Sequence, residues 1–178
     1  MAKNMRGAAC LLWLFISLCS NGQSNIRAKR QAVIDTALSQ VGVREATGKN
    51  DGREVEKYLK IVGLGKGYAW CAAFVSWDYK VNRITTFKTA WAPAWFPENR
   101  ILFKGTVLKI NTTPQPGDLG GLWINKRIGH VFIIYAWGDK TVKTIEGNTN
   151  EAGSREGDGV YIKRRLRKQI YTVSNWID

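Results

Sequence analysis

The chain has 178 residues, 44% of them hydrophobic and 11% aromatic. That is enough for one domain with a packed core and excludes disorder, collagen and coiled coil as descriptions of the whole chain. The charge is lopsided, with 27 Lys and Arg against 14 Asp and Glu, a formal +13, and there are three cysteines and one histidine.

Residues 1–22 read as a secretory signal peptide. Lys3 and Arg6 give the basic start, an apolar run extends from Ala8 to Leu18, and Ser20 and Gly22 are small residues at −3 and −1 of a cut before Gln23. The run is shorter than the ~20 apolar residues of a transmembrane helix. The alternatives are an uncleaved anchor and a lipoprotein attached through Cys19. The expectation is an exported protein, periplasmic or secreted, whose residues 23–178 form one domain. Cleavage removes Cys10 and Cys19 and leaves one thiol, Cys71, beside one imidazole, His130. A leftover cysteine in an exported chain points to a reactive thiol.

In chain order, 25–43 has a helical stripe of Ile26, Val33, Ala37 and Val41, widened by Ile34 and Leu38. A polar loop over 46–52 follows, with Asn50 or Asp51 as candidate caps for a helix near 54–62 carrying Val55, Tyr58, Leu59 and Val62. Gly63, Gly65 and Gly67 interrupt the chain before a third helix that begins near Cys71 and runs to Tyr79. The segment 88–105 reads as irregular or short-helical. Strands are then expected at 106–110, at 119–124 after the Pro114–Asp118 turn, at 131–136, 141–146, 160–166 and 170–177. The run 131–136 is apolar throughout, as in a strand buried on both faces, and Gly138-Asp139-Lys140 turns it into a hairpin with 141–146. Helices first and an antiparallel sheet second make an α+β pattern.

Cys71 follows a glycine-rich stretch and opens a helix, where free N–H groups and the helix dipole favour a thiolate and an oxyanion. Most free cysteines are small buried hydrophobes, but His130 opens the apolar strand 131–136, and the hairpin brings Glu146 and Asn148 toward its open end. Either can orient an imidazole that serves Cys71 as base.

The segments Tyr68-Ala-Trp-Cys71-Ala-Ala-Phe-Val-Ser-Trp77, Pro116-Gly-Asp118, Gly129-His130-Val131 and Thr144-Ile-Glu146-Gly-Asn148-Thr149 resemble, in order and spacing, CHAP domains. These are cysteine, histidine-dependent amidohydrolases/peptidases of the papain-like and NlpC/P60 group. The resemblance covers roughly residues 30–165. It implies a papain-like fold with N-terminal helices packed on a C-terminal antiparallel sheet. It also implies Cys71 as nucleophile, His130 as base, Glu146 as its orienting partner and Asn148 as a further polar member. The family mostly cleaves peptidoglycan, at the muramoyl–L-alanine amide or within the stem peptide or cross-bridge, through a thioester. Some members hold calcium before the cysteine. Here that stretch offers Asn50, Asp51 and Glu54, too little for a site, so no metal and no cofactor are expected.

Trp70, Tyr68 and Trp123 are the candidate substrate-binding residues, with Trp91 and Trp95 as further cleft candidates and Tyr68 as a candidate oxyanion donor; Trp77 and Trp137 are assigned to the core. The cluster Lys163-Arg-Arg-Leu-Arg-Lys168 lacks any accompanying nucleic-acid signature. It reads as a solvated strand face, with weak attraction to an anionic envelope as the sharper alternative. The expectation is a monomeric cysteine hydrolase acting on peptidoglycan or muropeptides, with no nucleic-acid partner. The other readings are a non-catalytic wall-binding module of the same fold and an amidase for a small substrate outside the wall.

Overall fold

Helix α1 (Gly7–Leu38) buries Val33, Ile34 and Ala37 on the stripe read from the sequence. The computed structural model describes residues 7–105, 107–108, 112–152 and 157–178, of which 7–21 and 108 by their backbone alone. The residues of the expected leader therefore lie largely outside the described side chains. Among the described residues, no helix is long and apolar enough to cross a membrane. α1 stops earlier than the stripe suggests. Tight turns close over Ala37–Val43, Gly42 takes a left-handed φ of 96°, and Val41 is left exposed. Gly42 is the residue type for that conformation.

α2 (Arg53–Ile61) buries Val55, Tyr58 and Leu59. Its N-cap is Gly52 rather than Asn50 or Asp51. The Asp51 carboxylate is engaged elsewhere, accepting hydrogen bonds from the backbone N–H and the hydroxyl of Thr47 at 2.9 and 2.7 Å. Glu56 accepts from the Gly52 N–H instead. α3 (Cys71–Val81) is buried from Cys71 through Ser76 and again at Asp78 and Tyr79. A helix apolar nearly all round belongs in the interior, and α3 is the central one, packed on α1, α2 and the sheet.

The 88–105 segment forms short 3₁₀ turns at Ala92–Trp95 and Glu98–Arg100, then strand β1 (Ile101–Lys104). β2 is only Val107–Leu108; the rest of the strand expected at 106–110 lies outside the described residues. β3 (Leu119–Ile124), β4 (Arg127–Trp137), β5 (Thr141–Thr149), β6 (Gly159–Leu166) and β7 (Thr172–Ser174) complete a seven-stranded antiparallel sheet, in the order β2-β1-β7-β3-β4-β5-β6. The last strand is much shorter than expected. It lies between β1 and β3 rather than beside β6, because a 3₁₀ turn at Arg167–Gln169 carries the chain away from the β6 edge.

β3 and β4 are joined by two residues, Asn125 and Lys126, both with positive φ (51° and 64°), while Ile124 pairs with Arg127. This is the type I′ geometry whose twist matches the flanking strands. β4 begins three residues before His130, so the histidine is inside a strand and not at its start. As its unbroken apolar run implied, β4 is buried on both faces. Val131 and Ile133 pack toward the helices, and Phe132 and Ile134 join Phe103, Val142, Ile170 and Val173 in a second core. Alternation sends His130 to the Phe132 side, with the two rings 5.9 Å apart.

Candidate active site

The approach to α3 is fixed by two polar anchors. The Trp70 backbone N–H donates to Asn148 Oδ1 at 3.0 Å, and its indole N–H donates to Glu45 Oε1 at 2.8 Å. The indole stacks on Tyr58, with ring centroids 5.5 Å apart. Trp70 is therefore a fully buried core residue. This corrects the expectation that it lines the cleft. Its neighbour Cys71 is left at the first position of α3 with its side chain held against the sheet.

The His130 ring and the backbone N–H groups of Val131 and Ala72 stand around Cys71 and favour its thiolate. His130 Nε2 is 2.9 Å from Glu146 Oε2, which leaves the other ring nitrogen, Nδ1, for the thiol. Glu146 is fully buried and accepts three more hydrogen bonds. The Thr144 hydroxyl donates to Oε1 at 2.5 Å, and the Arg165 guanidinium spans both oxygens, Nε to Oε1 at 2.6 Å and NH2 to Oε2 at 2.5 Å.

The charges follow from these contacts. Burial opposes ionisation of Glu146, yet the hydrogen bonds and charges of His130 and Arg165 override it and hold the carboxyl at about 2. A carboxylate accepts only, so Nε2 carries the proton it donates. Burial likewise disfavours a charged His130, but its bonds to Cys71 and Glu146 prevail and push it up to about 9. Burial also works against the Cys71 thiolate. The hydrogen bond and charge of His130, with the two backbone N–H groups, outweigh it and draw the thiol below its ordinary value. Both shifts run in the direction of a thiolate–imidazolium pair, with a carboxylate behind the ring.

Cys71 and His130 open into a cleft of about 390 Å³ whose walls include Ala69, Leu122, Ile124 and Arg127. Asn148 also lines it, but it does not touch the imidazole. Its oxygen is committed to Trp70 and its amide donates to Asn50 Oδ1 at 3.1 Å and the Gly157 carbonyl at 3.4 Å. Asn148 is thus a brace between β5 and the loop before Cys71, and the orienting contact falls to Glu146 alone. Trp123 is 53% exposed and tilted against Tyr171, outside the cleft wall. Leu122 and Ile124 face the cleft, so strand alternation turns the residue between them away. Tyr68 is 56% exposed and is not part of the wall either. Trp95 is fully buried, while Trp77 and Trp137 pack at core edges as expected. Among the described residues, no cluster of three or more His, Cys, Asp or Glu side chains is arranged to hold a metal.

Sequence reasoning missed Arg165. It lies in the basic cluster read as a solvated face, yet it lines the cleft and its side chain is only 14% exposed. In β6 Ile162, Arg164 and Leu166 face outward, and the cations Lys163 and Arg165 turn inward. The available signal was register: Thr144 and Val142 pair with Lys163 and Arg165, which sets Arg165 on the face shared with Glu146.

Residues 63–148 match the CHAP domain model. The matched CHAP segment contains Cys71, His130, Glu146 and Asn148 and ends before Arg165. The fold is similar to that of a solved peptidoglycan hydrolase. RipB from Mycobacterium tuberculosis aligns over 87% of this chain and 68% of its own, at 15% identity and a TM-score of 0.53. The NlpC/p60 domain of the peptidoglycan hydrolase SagA aligns over 82% of this chain and 97% of its own, at 15% identity and a TM-score of 0.46. The α+β architecture expected, helices first and an antiparallel sheet second, is the one observed. No curated protein matches the chain.

Proposed function

We propose that the protein is a cysteine hydrolase that cuts amide bonds of bacterial peptidoglycan, either the muramoyl–L-alanine amide or a bond of the stem peptide or cross-bridge. The observation that carries this reading is the buried chain from Cys71 through His130 to Glu146, with Cys71 and His130 lining the cleft. The CHAP match and the fold shared with the peptidoglycan hydrolase RipB support the substrate class.

In the reaction, the Cys71 thiolate attacks the amide carbonyl carbon, and the oxyanion is held at the mouth of α3 by the Cys71 N–H. The imidazolium of His130 protonates the amine as the C–N bond breaks and leaves a thioester. Neutral His130 then takes a proton from water, whose hydroxide adds to the thioester; collapse releases the acid and returns the thiolate and imidazolium. Glu146 keeps the ring in one orientation and stabilises its charged form. The chain is exported, residues 1–22 serving as a cleaved leader and 23–178 as one catalytic domain; the mass of the protein recovered from the cell envelope tests that assignment. Incubation of the purified protein with peptidoglycan, with mass spectrometry of the released muropeptides, tests the activity. New amines and shortened fragments are expected, absent with Cys71→Ala. No release by either protein rejects the reading.

A further inference from the structure

The cleft is cationic. Arg127, Arg165 and His130 line it, and no carboxylate does among the described residues. Arg165 and His130 are both committed to the buried Glu146. Arg127 is not: it forms no ion pair among the described residues, and its one hydrogen bond is a long contact of 3.4 Å to the Ile128 carbonyl. Its guanidinium lies over the exposed ring of Trp91, 4.6 Å from the centroid. Arg127 opens β4 directly after the two-residue turn at Asn125–Lys126, and Asn125 also lines the cleft. A cation held over an aromatic face beside a two-residue turn, facing the same cavity as a nucleophile, presents unspent hydrogen-bond donors to a bound anion.

We propose that the β3–β4 hairpin forms a carboxylate-binding subsite, with Arg127 as the anion's partner and Asn125 beside it. The preferred substrate is then a peptide carrying a free carboxylate close to the scissile amide. This rests on the reading that Cys71 attacks an amide bound in the cleft, and it specifies what flanks that amide. Arg127 acts on selectivity: a neutral carboxamide at the same place leaves the guanidinium without its charged partner, and charge-assisted hydrogen bonds are about twice as strong as neutral ones.

The test uses muropeptides with free stem-peptide carboxylates and the same muropeptides after conversion of those groups to carboxamides. Binding to the full-length Cys71→Ala protein is measured by calorimetry. The free-acid form is expected to bind about tenfold more tightly, and Arg127→Gln in the same background to bring it down to the carboxamide level. In the wild-type enzyme, Arg127→Gln is expected to raise KM for the free-acid form. Equal binding of the two forms by Cys71→Ala overturns the subsite, as does a preference that survives Arg127→Gln with circular dichroism unchanged. Wild-type protein that cleaves both forms equally well upholds the hydrolase and rejects the subsite. A free-acid preference in binding without any cleavage by wild type does the reverse.

Discussion

Arg165 holds Glu146 with two parallel hydrogen bonds, one to each carboxylate oxygen, while His130 shares Oε2 from the other side. One buried anion is thus divided between a fixed guanidinium and a titrating imidazole. The fork geometry fixes the carboxylate plane, and that plane sets where Oε2 meets the ring.

Arg165→Met removes the fork and leaves a buried carboxylate short of two donors. Breaking a buried pair from one side costs about 3–5 kcal/mol, so a marked fall in urea midpoint is expected, together with at least a tenfold loss of activity. Arg165→Lys keeps the charge without the fork and is expected to fall between. Denaturation curves of Arg165→Met and of Arg165→Met/Glu146→Gln check the cause: the double variant should be the more stable of the two, because it no longer buries an unpaired charge.

Activity requires the thiolate and the imidazolium together. It should rise as pH climbs past the lowered Cys71 value and fall as pH passes about 9, where His130 loses its proton. Glu146→Gln removes one of the causes that raise His130, so the alkaline limb should move toward neutrality. Rates of Cys71 alkylation by iodoacetamide, measured across pH, read the thiolate without any substrate, and insensitivity of the wild-type thiol would count against it as nucleophile.

Stability should track the same groups. The folded-state value of Glu146 is depressed to about 2, so its contribution is complete above its ordinary 4.5 and is lost as pH falls toward 2. For His130 the folded-state value is raised, so its contribution is complete below 6.5 and is lost as pH rises through about 9. Unfolding free energies from urea titrations in these windows should show less acid loss in Glu146→Gln than in wild type.

Asn148→Ala leaves the Trp70 N–H without its acceptor at the mouth of α3. An orphaned buried donor costs about 1–3 kcal/mol. Because Asn148 braces the loop that presents Cys71, the alkylation rate should drop along with stability. A variant with wild-type thiol reactivity would show that Asn148 supports the fold without positioning the nucleophile.

Gly147 lies between Glu146 and Asn148 with the Trp70 and Phe74 side chains against it. A Cβ there would fall 2.7 Å from Trp70 Cζ3 and 2.9 Å from Phe74 Cβ. Gly147→Ala should destabilise by about 1–3 kcal/mol through overpacking, seen as a lower melting temperature, and should disturb Glu146 and Trp70 together.

Much of this architecture was legible from local signals. The start of α3 at Cys71, the doubly buried β4 and the Gly138–Lys140 hairpin each follow from short-range pattern, and the hairpin alone brings His130 toward Glu146. What was not legible depends on side-chain direction. Trp70 looked like a cleft residue by adjacency to the thiol, but adjacent residues on a chain entering a helix point differently, and its indole found Glu45 in the interior. Arg165 was hidden because an alternating strand normally turns its apolar residues inward, and here a buried carboxylate reverses that rule. Asn148 sits at a left-handed φ of 56°, a conformation that redirects its side chain toward the α3 entry.

Cys71 belongs to the helical half of the chain, whereas His130, Glu146 and Arg165 arrive 59, 75 and 94 residues later in the sheet half. A chain emerging from the ribosome therefore exposes Cys71 as an ordinary thiol, with a pKa of about 8.5. The groups that draw the thiol down, His130 and the Val131 N–H, come into place only when β4 docks beside α3. That docking is a built-in safety catch: a product truncated before β4 carries the cysteine without its activating imidazole.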